Sequence, residues 1–136
     1  MSVSFWVNDD CYDVGAASFL HSFFSTVCYN LEDGKWGSRY PVLMNEFYQG
    51  SLEYAHIKDA IAELDNITAG LKKFPPDKVV WDIEDLSKQP PWGDNIAPEI
   101  TDLSNYFVTN DGEDFLTVFR QALEKGLEKK APVEIM

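Results

Sequence analysis

Three carboxylates follow an apolar run in the stretch VVWDIED, where Asp82, Glu84 and Asp85 lie within four residues. If the run is a strand, Asp82 and Glu84 share one face and Asp85 enters the next loop. Carboxylate oxygens so placed can bind Mg²⁺ or Ca²⁺, or two of them can serve as general acid and base. The run does not match a calcium-loop pattern. These three carboxylates still allow one functional hypothesis, a small metal-dependent or acid–base hydrolase, which we keep as the alternative to the binding function argued below.

The other residue types that carry chemistry are few and poorly spaced. His21 and Cys28 are seven residues apart, about 10 Å along a helix, which is too far for a Cys–His nucleophile pair within it. We interpret Cys28 as a core residue and His21 as a hydrogen-bonded structural imidazole, and His56 shows nothing catalytic. Two His and two Cys without metal-ligand spacing argue against zinc, and no glycine-rich phosphate loop occurs. No cofactor is predicted.

The charge of the chain restricts its partners. Its 136 residues hold 23 acidic and 11 basic side chains, a net charge of −12, and the pI is near 4.4. Nucleic acid and anionic membrane surfaces require Lys and Arg, so neither is an expected partner. A protein this acidic attracts basic proteins.

Two-thirds of this net charge lies in a quarter of the chain. Nine acidic residues and only Lys88 occur from Asp82 to Asp114, together with Trp92 and Tyr106. Carboxylates beside aromatic side chains are typical of a protein-binding surface, because the aromatics supply buried contacts and the acids pair with Arg and Lys. The alternative interpretation is a solvated face with ordinary Asp-rich turns.

The hydrophobic pattern predicts an α+β fold with a small β-sheet packed against three to four helices, in one domain over residues 1–136. Strands are predicted at Val3–Val7, Cys11–Val14, Lys78–Ile83, Tyr106–Thr109 and near residues 132–135. Helices are predicted over Ala16–Leu31, from Pro41 to Phe47 or Tyr48, over a run from Ile57 to Phe74 with Ser51 as N-cap, and from Phe115 to Leu127. Either Val3–Val7 or Val133–Ile135 could be an edge strand open to a partner, so a scaffolding domain that dimerises is a third hypothesis.

No targeting segment is visible, because the sequence starts MSVSFWVNDD without basic residues. The apolar stretch from Val14 to Leu31 contains polar residues and follows a helical period, so we predict a soluble helix. Two cysteines are too few for a disulfide framework, and both are expected to be reduced thiols in a cytoplasmic protein.

Three long blocks resemble a known family: FLHSFFSTVCYNLEDGKWGSRYPVLMNEFYQG, VVWDIEDLSKQPPWGDNI and TDLSNYFVTNDG. They are similar to the immunity protein 70 family, small bacterial proteins of polymorphic toxin systems. The resemblance implies a cytoplasmic, non-catalytic protein that binds and neutralises a cognate toxin. It supplies no catalytic residues and no toxin contacts.

The resemblance and the charge together predict the mechanism. Toxins that cut nucleic acid have basic clefts, which an acidic protein can fill or cover. A nuclease is thus the first expectation for the toxin, with a deaminase, an ADP-ribosyltransferase and a pore-forming protein as alternatives. The predicted toxin-binding residues are carboxylates and aromatic side chains of the acidic stretch, followed by two second-tier candidates: Asp82, Glu84, Asp85, Asp94 and Asp102, Trp92 and Tyr106, then Trp36 and Arg39.

Overall fold

The fold begins with a β-hairpin. In a computed structural model, which describes residues 2–93 and 96–136, β1 (Ser2–Val7) and β2 (Asp10–Ala16) pair antiparallel. The turn between them places Asn8 at φ +52°, a left-handed conformation that Asn tolerates better than most residues. Both strands occur where the sequence predicts them.

The sheet has four antiparallel strands in the order β2-β1-β4-β3. β3 (Ser51–Leu52) and β4 (Val133–Ile135) are short. Phe5 of β1 lies opposite Ile135. The edges of the sheet are therefore β2 and β3, and the prediction of an open edge at Val3–Val7 or Val133–Ile135 is wrong. Local composition does not encode which distant strand pairs with which, and both of these strands gain neighbours on two sides.

Three α-helices are present near their predicted positions: α1 (Ala17–Leu31), α2 (Ile57–Leu71) and α3 (Phe115–Lys129). The chain leaves α1 through Gly34, whose φ is +77° and whose N–H donates to the carbonyl of Cys28 at 2.9 Å. Glycine adopts this conformation without steric cost, as the Asp33-Gly34 pair predicts.

The connection between α1 and α2 is less regular than predicted. The helix predicted from Pro41 is one π-helical turn, Val42–Glu46, followed by a 3₁₀ turn, Phe47–Gln49. Ser51 lies in β3, and a second 3₁₀ turn at Tyr54–His56 leads into α2. The assignment of Ser51 as N-cap of α2 is wrong, because its backbone pairs with β4 instead.

The core lies between the sheet and the helices and is rich in phenylalanine. Phe5 of β1 packs against Phe47, Phe115 and Phe119 with ring centroids 4.9 to 6.0 Å apart. Phe23 of α1 contacts Phe115 at 4.9 Å. All five side chains are fully buried. Mixed strands and helices around one core confirm the α+β prediction.

The strand predicted at Lys78–Ile83 is wrong. A 3₁₀ turn covers Pro76–Lys78 and Val79 is extended, but the chain bends at Trp81 and turns at Ile83 without joining the sheet. We call residues 79–114 the irregular segment; within its described part, the bridge from Val108 to Asp114 is the only β-pairing. The strand predicted at Tyr106–Thr109 is reduced to that bridge.

Across the described ranges 2–93 and 96–136, no helix combines the length and the apolarity needed to cross a bilayer.

Candidate functional site

Side chains of α1 hold the start of the irregular segment in place. The hydroxyls of Ser22 and Thr26 donate to the carbonyl of Val80 at 2.9 and 3.1 Å, and the N–H of Val80 donates back to Thr26 Oγ1 at 3.0 Å. The N–H of Ile83 donates to Ser25 Oγ at 3.1 Å. These three hydroxyl residues are fully buried. They therefore satisfy backbone groups that no neighbouring strand pairs with.

His21, which directly precedes Ser22 on α1, belongs to a polar cluster. Tyr48 Oη lies 2.6 Å from His21 Nδ1, and Asp82 Oδ1 lies 3.2 Å from Nε2. With the proton on Nε2, the tyrosine hydroxyl donates to Nδ1 and Nε2–H donates to Asp82, so both ring nitrogens are satisfied. Lys88 Nζ lies 3.6 Å from the other oxygen of Asp82. We name His21, Tyr48, Asp82, Glu84 and Lys88 the His21 cluster.

The charges of this cluster are set by its contacts. The backbone N–H of Glu84 donates to Asp82 at 2.9 Å, and this bond, helped by His21 and Lys88, lowers the pKa of the Asp82 carboxyl. Burial raises the pKa of the Tyr48 hydroxyl, and Glu84 and Asp82 raise it further. Asp82 is consequently ionised and Tyr48 neutral at neutral pH.

Three groups of this cluster have the chemistry of metal ligands. His21, Asp82 and Glu84 each offer one donor atom, and these atoms lie within 4.8 Å of one another. A divalent ion on His21 Nε2 would replace the proton that Asp82 now accepts. Asp85, the third carboxylate of the sequence hypothesis, instead accepts hydrogen bonds from the N–H and hydroxyl of Ser87 at 3.1 and 2.6 Å.

On the other side of Asp82, an apolar pocket of about 460 Å³ opens to the surface. Trp81 and Trp92 form one wall, in an edge-to-face pair with centroids 5.5 Å apart. The indole N–H of Trp92 donates to Tyr106 Oη at 2.7 Å. We call this site the aromatic pocket; its lining comes from the end of β2, the start of α1 and the irregular segment: Val14, Gly15, Ala16, Ser18, Phe19, Trp81, Pro91, Trp92, Ile96, Ala97, Ile100, Tyr106, Val108 and Asn110.

The aromatic residues predicted to bind the toxin differ in how far their side chains are exposed. Trp92 is 40% exposed, whereas Tyr106 is 5% exposed and offers the pocket only part of its ring. Trp36 donates its indole N–H to the carbonyl of Met44 at 2.8 Å, and its ring stacks on His21 at 6.4 Å. Arg39 is exposed on the same loop, with its guanidinium 5.3 Å from the ring centre of Tyr40.

The predicted carboxylates are placed less uniformly. Glu84 and Asp85 are exposed, while Asp82 and Asp102 are partly buried. Asp102 accepts from the N–H of Ser104 at 2.8 Å and also from its hydroxyl. Partial burial raises its pKa, but these bonds outweigh that effect and leave the pKa below its ordinary value. Asp94 lies outside the described residues.

Sequence reasoning did not assign His21 and Tyr48 to a functional site. They are 27 residues apart, and Asp82 is a further 34 residues along the chain from Tyr48. The position of His21 at the edge of an apolar helical stripe predicts a hydrogen-bonded imidazole, which the structure confirms. No spacing rule identifies its partners, because they are brought together only by the fold.

A second titratable cluster lies beside α2. His56 Nδ1 pairs with Glu46, and Glu53 completes a group of potential ligand atoms within 4.8 Å. The hydrogen bond and charge of Glu46 raise the pKa of His56. The pair joins the π-helical turn to the 3₁₀ turn that precedes α2, which accounts for it as a structural contact.

Comparisons with known proteins identify the family. No curated protein and no solved structure matches the chain. A family model described as Immunity protein 70 matches residues 5–135, nearly the whole sequence. This match includes most of the hairpin, the three helices α1 to α3, the His21 cluster and the aromatic pocket. The chain therefore belongs to the Immunity protein 70 family.

Proposed function

We propose that this protein binds a cognate toxin and neutralises it without performing chemistry of its own. The observation that carries the proposal is the family match over residues 5–135. Its acidity supports a basic partner, because opposite charge speeds association and suppresses wrong partners. The expected toxin carries a basic cleft, as a nuclease does.

The irregular segment is the proposed toxin-binding surface. Six of its acidic residues are exposed: Glu84, Asp85, Glu99, Asp111, Glu113 and Asp114. The segment is fastened to α1 through Val80 and to β2 through the N–H of Asn110, which donates to the carbonyl of Val14 at 3.0 Å. A fixed surface loses little conformational entropy on binding, which favours affinity.

Asp82 and Asp85 of this segment keep their charge well below neutral pH. Hydrogen bonds from the Ser87 side chain and backbone lower the pKa of Asp85, and the Glu84 N–H does the same for Asp82. A partner's Arg or Lys would thus meet ionised acids over the whole physiological range. The hydrogen bonds within these turns do not prevent the acids from binding a partner. Each carboxylate can still accept further hydrogen bonds.

The test measures binding to a candidate toxin, to be sought among the products of the genes that neighbour this protein's own. Replacing Glu84, Glu99 and Glu113 by Gln should slow association at low salt by about tenfold, within the range of electrostatic steering. A control triple variant, Asp33→Asn, Glu53→Gln and Asp77→Asn, has the same net charge of −9 but alters exposed acids elsewhere. Equal association rates for the two variants would contradict an acidic binding surface. Failure of the wild-type protein to bind the toxin or protect cells from it would refute the function itself.

A metal-dependent hydrolase is the second candidate, favoured by the grouping of His21, Asp82 and Glu84. It requires stoichiometric binding of Mn²⁺ or Zn²⁺ in calorimetry, lost in Glu84→Gln but retained in Glu53→Gln. Absence of binding at millimolar metal would eliminate this candidate and leave the immunity function untouched.

A further inference from the structure

We propose that the aromatic pocket receives a large apolar side chain, flanked by Lys or Arg, from the toxin. The inference rests on the proposed immunity function and adds to it the chemistry that the partner must present. Of the three acids replaced in the test above, only Glu99 stands next to a lining residue of this pocket.

The pocket is open and apolar. Trp92 and Val108 both line it and are 40% and 42% exposed. Exposed apolar side chains grouped around a concavity mark interaction sites. Its volume of about 460 Å³ lies at the small end of ligand pockets, a size suited to one bulky side chain and its neighbours.

The walls are fixed before any partner arrives. The hydrogen bond from Trp92 to Tyr106 holds the indole ring, and the edge-to-face contact holds Trp81 against it. Two further lining residues are closely packed: Gly15 has φ +150°, and a Cβ there would lie 3.1 Å from Asn110 Oδ1. A preformed pocket binds a side chain without paying to order its own loops.

The lining excludes most small metabolites. Its described part contains no charged residue, and the polar side chains there are those of Ser18 and Asn110, besides the Trp indoles and the Tyr hydroxyl. A ligand with a phosphate or carboxylate would find no cation there. An apolar protein side chain requires none.

Charge around the pocket selects a cationic neighbour. Exposed Asp13, Glu99 and Asp111 each stand one residue away from a lining residue, and no Lys or Arg does. Among the described residues, none of these three acids has an ion-pair partner; the ion pairs involve other carboxylates. A second copy of this chain, also at net charge −12, is repelled by the same acids.

The experiment fills the pocket and measures the toxin dissociation constant. Ala97→Phe and Ser18→Phe place a ring at exposed lining positions, whereas Ala62→Phe on the exposed face of α2 is the matched control. Each filling variant should weaken toxin binding about 30-fold or more, the size of one hot-spot contact, with little change for Ala62→Phe. Thermal melting of every variant establishes that it is folded.

The outcomes separate this inference from the function. If the wild type binds toxin and both filling variants bind as tightly as Ala62→Phe, the pocket assignment is overturned and the immunity function stands. If the wild type forms no complex, the function fails and the inference falls with it. If light scattering shows a toxin-free dimer that Ala97→Phe dissociates and Ala62→Phe does not, the occupant is a second copy of this chain and our assignment is wrong.

Discussion

At the scale of single residues, the buried carboxylate of Glu32 organises the loop that follows α1. Its side chain is 4% exposed and accepts hydrogen bonds from the backbone N–H groups of Gly37, Arg39 and Tyr40, at 3.1, 2.9 and 3.0 Å. Three donors on one carboxylate satisfy a turn that carries Trp36 toward His21. This residue was not singled out from the sequence, where it is one acid among 23.

Glu32→Gln should destabilise the protein by about 2–3 kcal/mol. The amide cannot accept at its nitrogen, so at least one buried N–H is left unpaired and a charge-assisted bond is weakened. Urea denaturation followed by circular dichroism measures the difference. Glu53→Gln, at an exposed position, is the control and should change stability by less than about 0.5 kcal/mol. If Glu32→Gln also lowered the free energy of unfolding by less than about 0.5 kcal/mol, water would have to reach this loop and replace the lost hydrogen bond.

The pair between Glu46 and His56 predicts a pH dependence. Glu46 raises the pKa of His56 above its ordinary value of 6.5. Because the raised pKa belongs to the folded state, the stabilisation is complete below pH 6.5 and is lost as the pH rises through the folded pKa. Glu46→Gln should therefore flatten the fall in stability from pH 6 to 8.5.

Nuclear magnetic resonance titration of the imidazoles checks this directly. In the wild type the His56 ring should titrate above pH 6.5, and in Glu46→Gln its midpoint should fall toward that value. Asp77→Asn, at an exposed position far along the chain from this pair, is the control and should leave the His56 midpoint unchanged. An unchanged His56 midpoint would contradict the pairing.

At the scale of elements, the segment after α2 shows where sequence patterns fail. The run KVVWDI has the β-branched and aromatic composition of a strand, yet it joins no sheet: Lys78 ends a 3₁₀ turn, Val79 is extended, and the chain bends at Trp81. Ser22, Ser25 and Thr26 of α1 take the place of a neighbouring strand. In the sequence these hydroxyls indicate a helix that is not membrane-spanning. Their burial shows that they also pair with a distant backbone, which helical periodicity alone does not reveal.

Thr26→Val keeps the shape of this contact and removes its hydrogen bonds. The buried N–H of Val80 then has no acceptor, so we expect a loss of about 1–3 kcal/mol and faster amide exchange at residues 80–83. Thr68→Val is the control, because Thr68 bonds only within α2, to the carbonyl of Leu64. Equal losses in both variants, or unchanged exchange at residues 80–83, would refute the anchoring role of α1.

The helices and the hairpin were predictable because their signals are local: apolar periodicity, a turn at Asn8-Asp9, and Gly34 after α1. The order of the strands was not predictable, since β3 has two residues and β4 three. For the His21 cluster, the sequence singled out Asp82 and Glu84 but not His21 or Tyr48. Their grouping depends on contacts between distant parts of the chain.

At the scale of the whole molecule, the net charge of −12 opposes compaction. Salt screens this repulsion, so raising NaCl from 0.02 to 0.3 M should increase the free energy of unfolding by about 1 kcal/mol, an order-of-magnitude expectation for screening over a Debye length near 10 Å. The triple variant with Glu84, Glu99 and Glu113 replaced by Gln should gain less from salt than the wild type. Urea denaturation midpoints at each ionic strength measure the salt dependence of stability for the wild type and for the triple variant. A decrease in stability with salt would mean that surface ion pairs outweigh the net repulsion.

The strand order also determines when this protein can fold. β1 and β4 are adjacent at the centre of the sheet, although about 130 residues separate them along the chain. During translation, the hairpin and α1 emerge first but cannot complete the sheet until residues 133–135 leave the ribosome. A chain that ends before residue 133 would therefore lack this central pairing, and any binding that depends on the folded sheet would be lost with it.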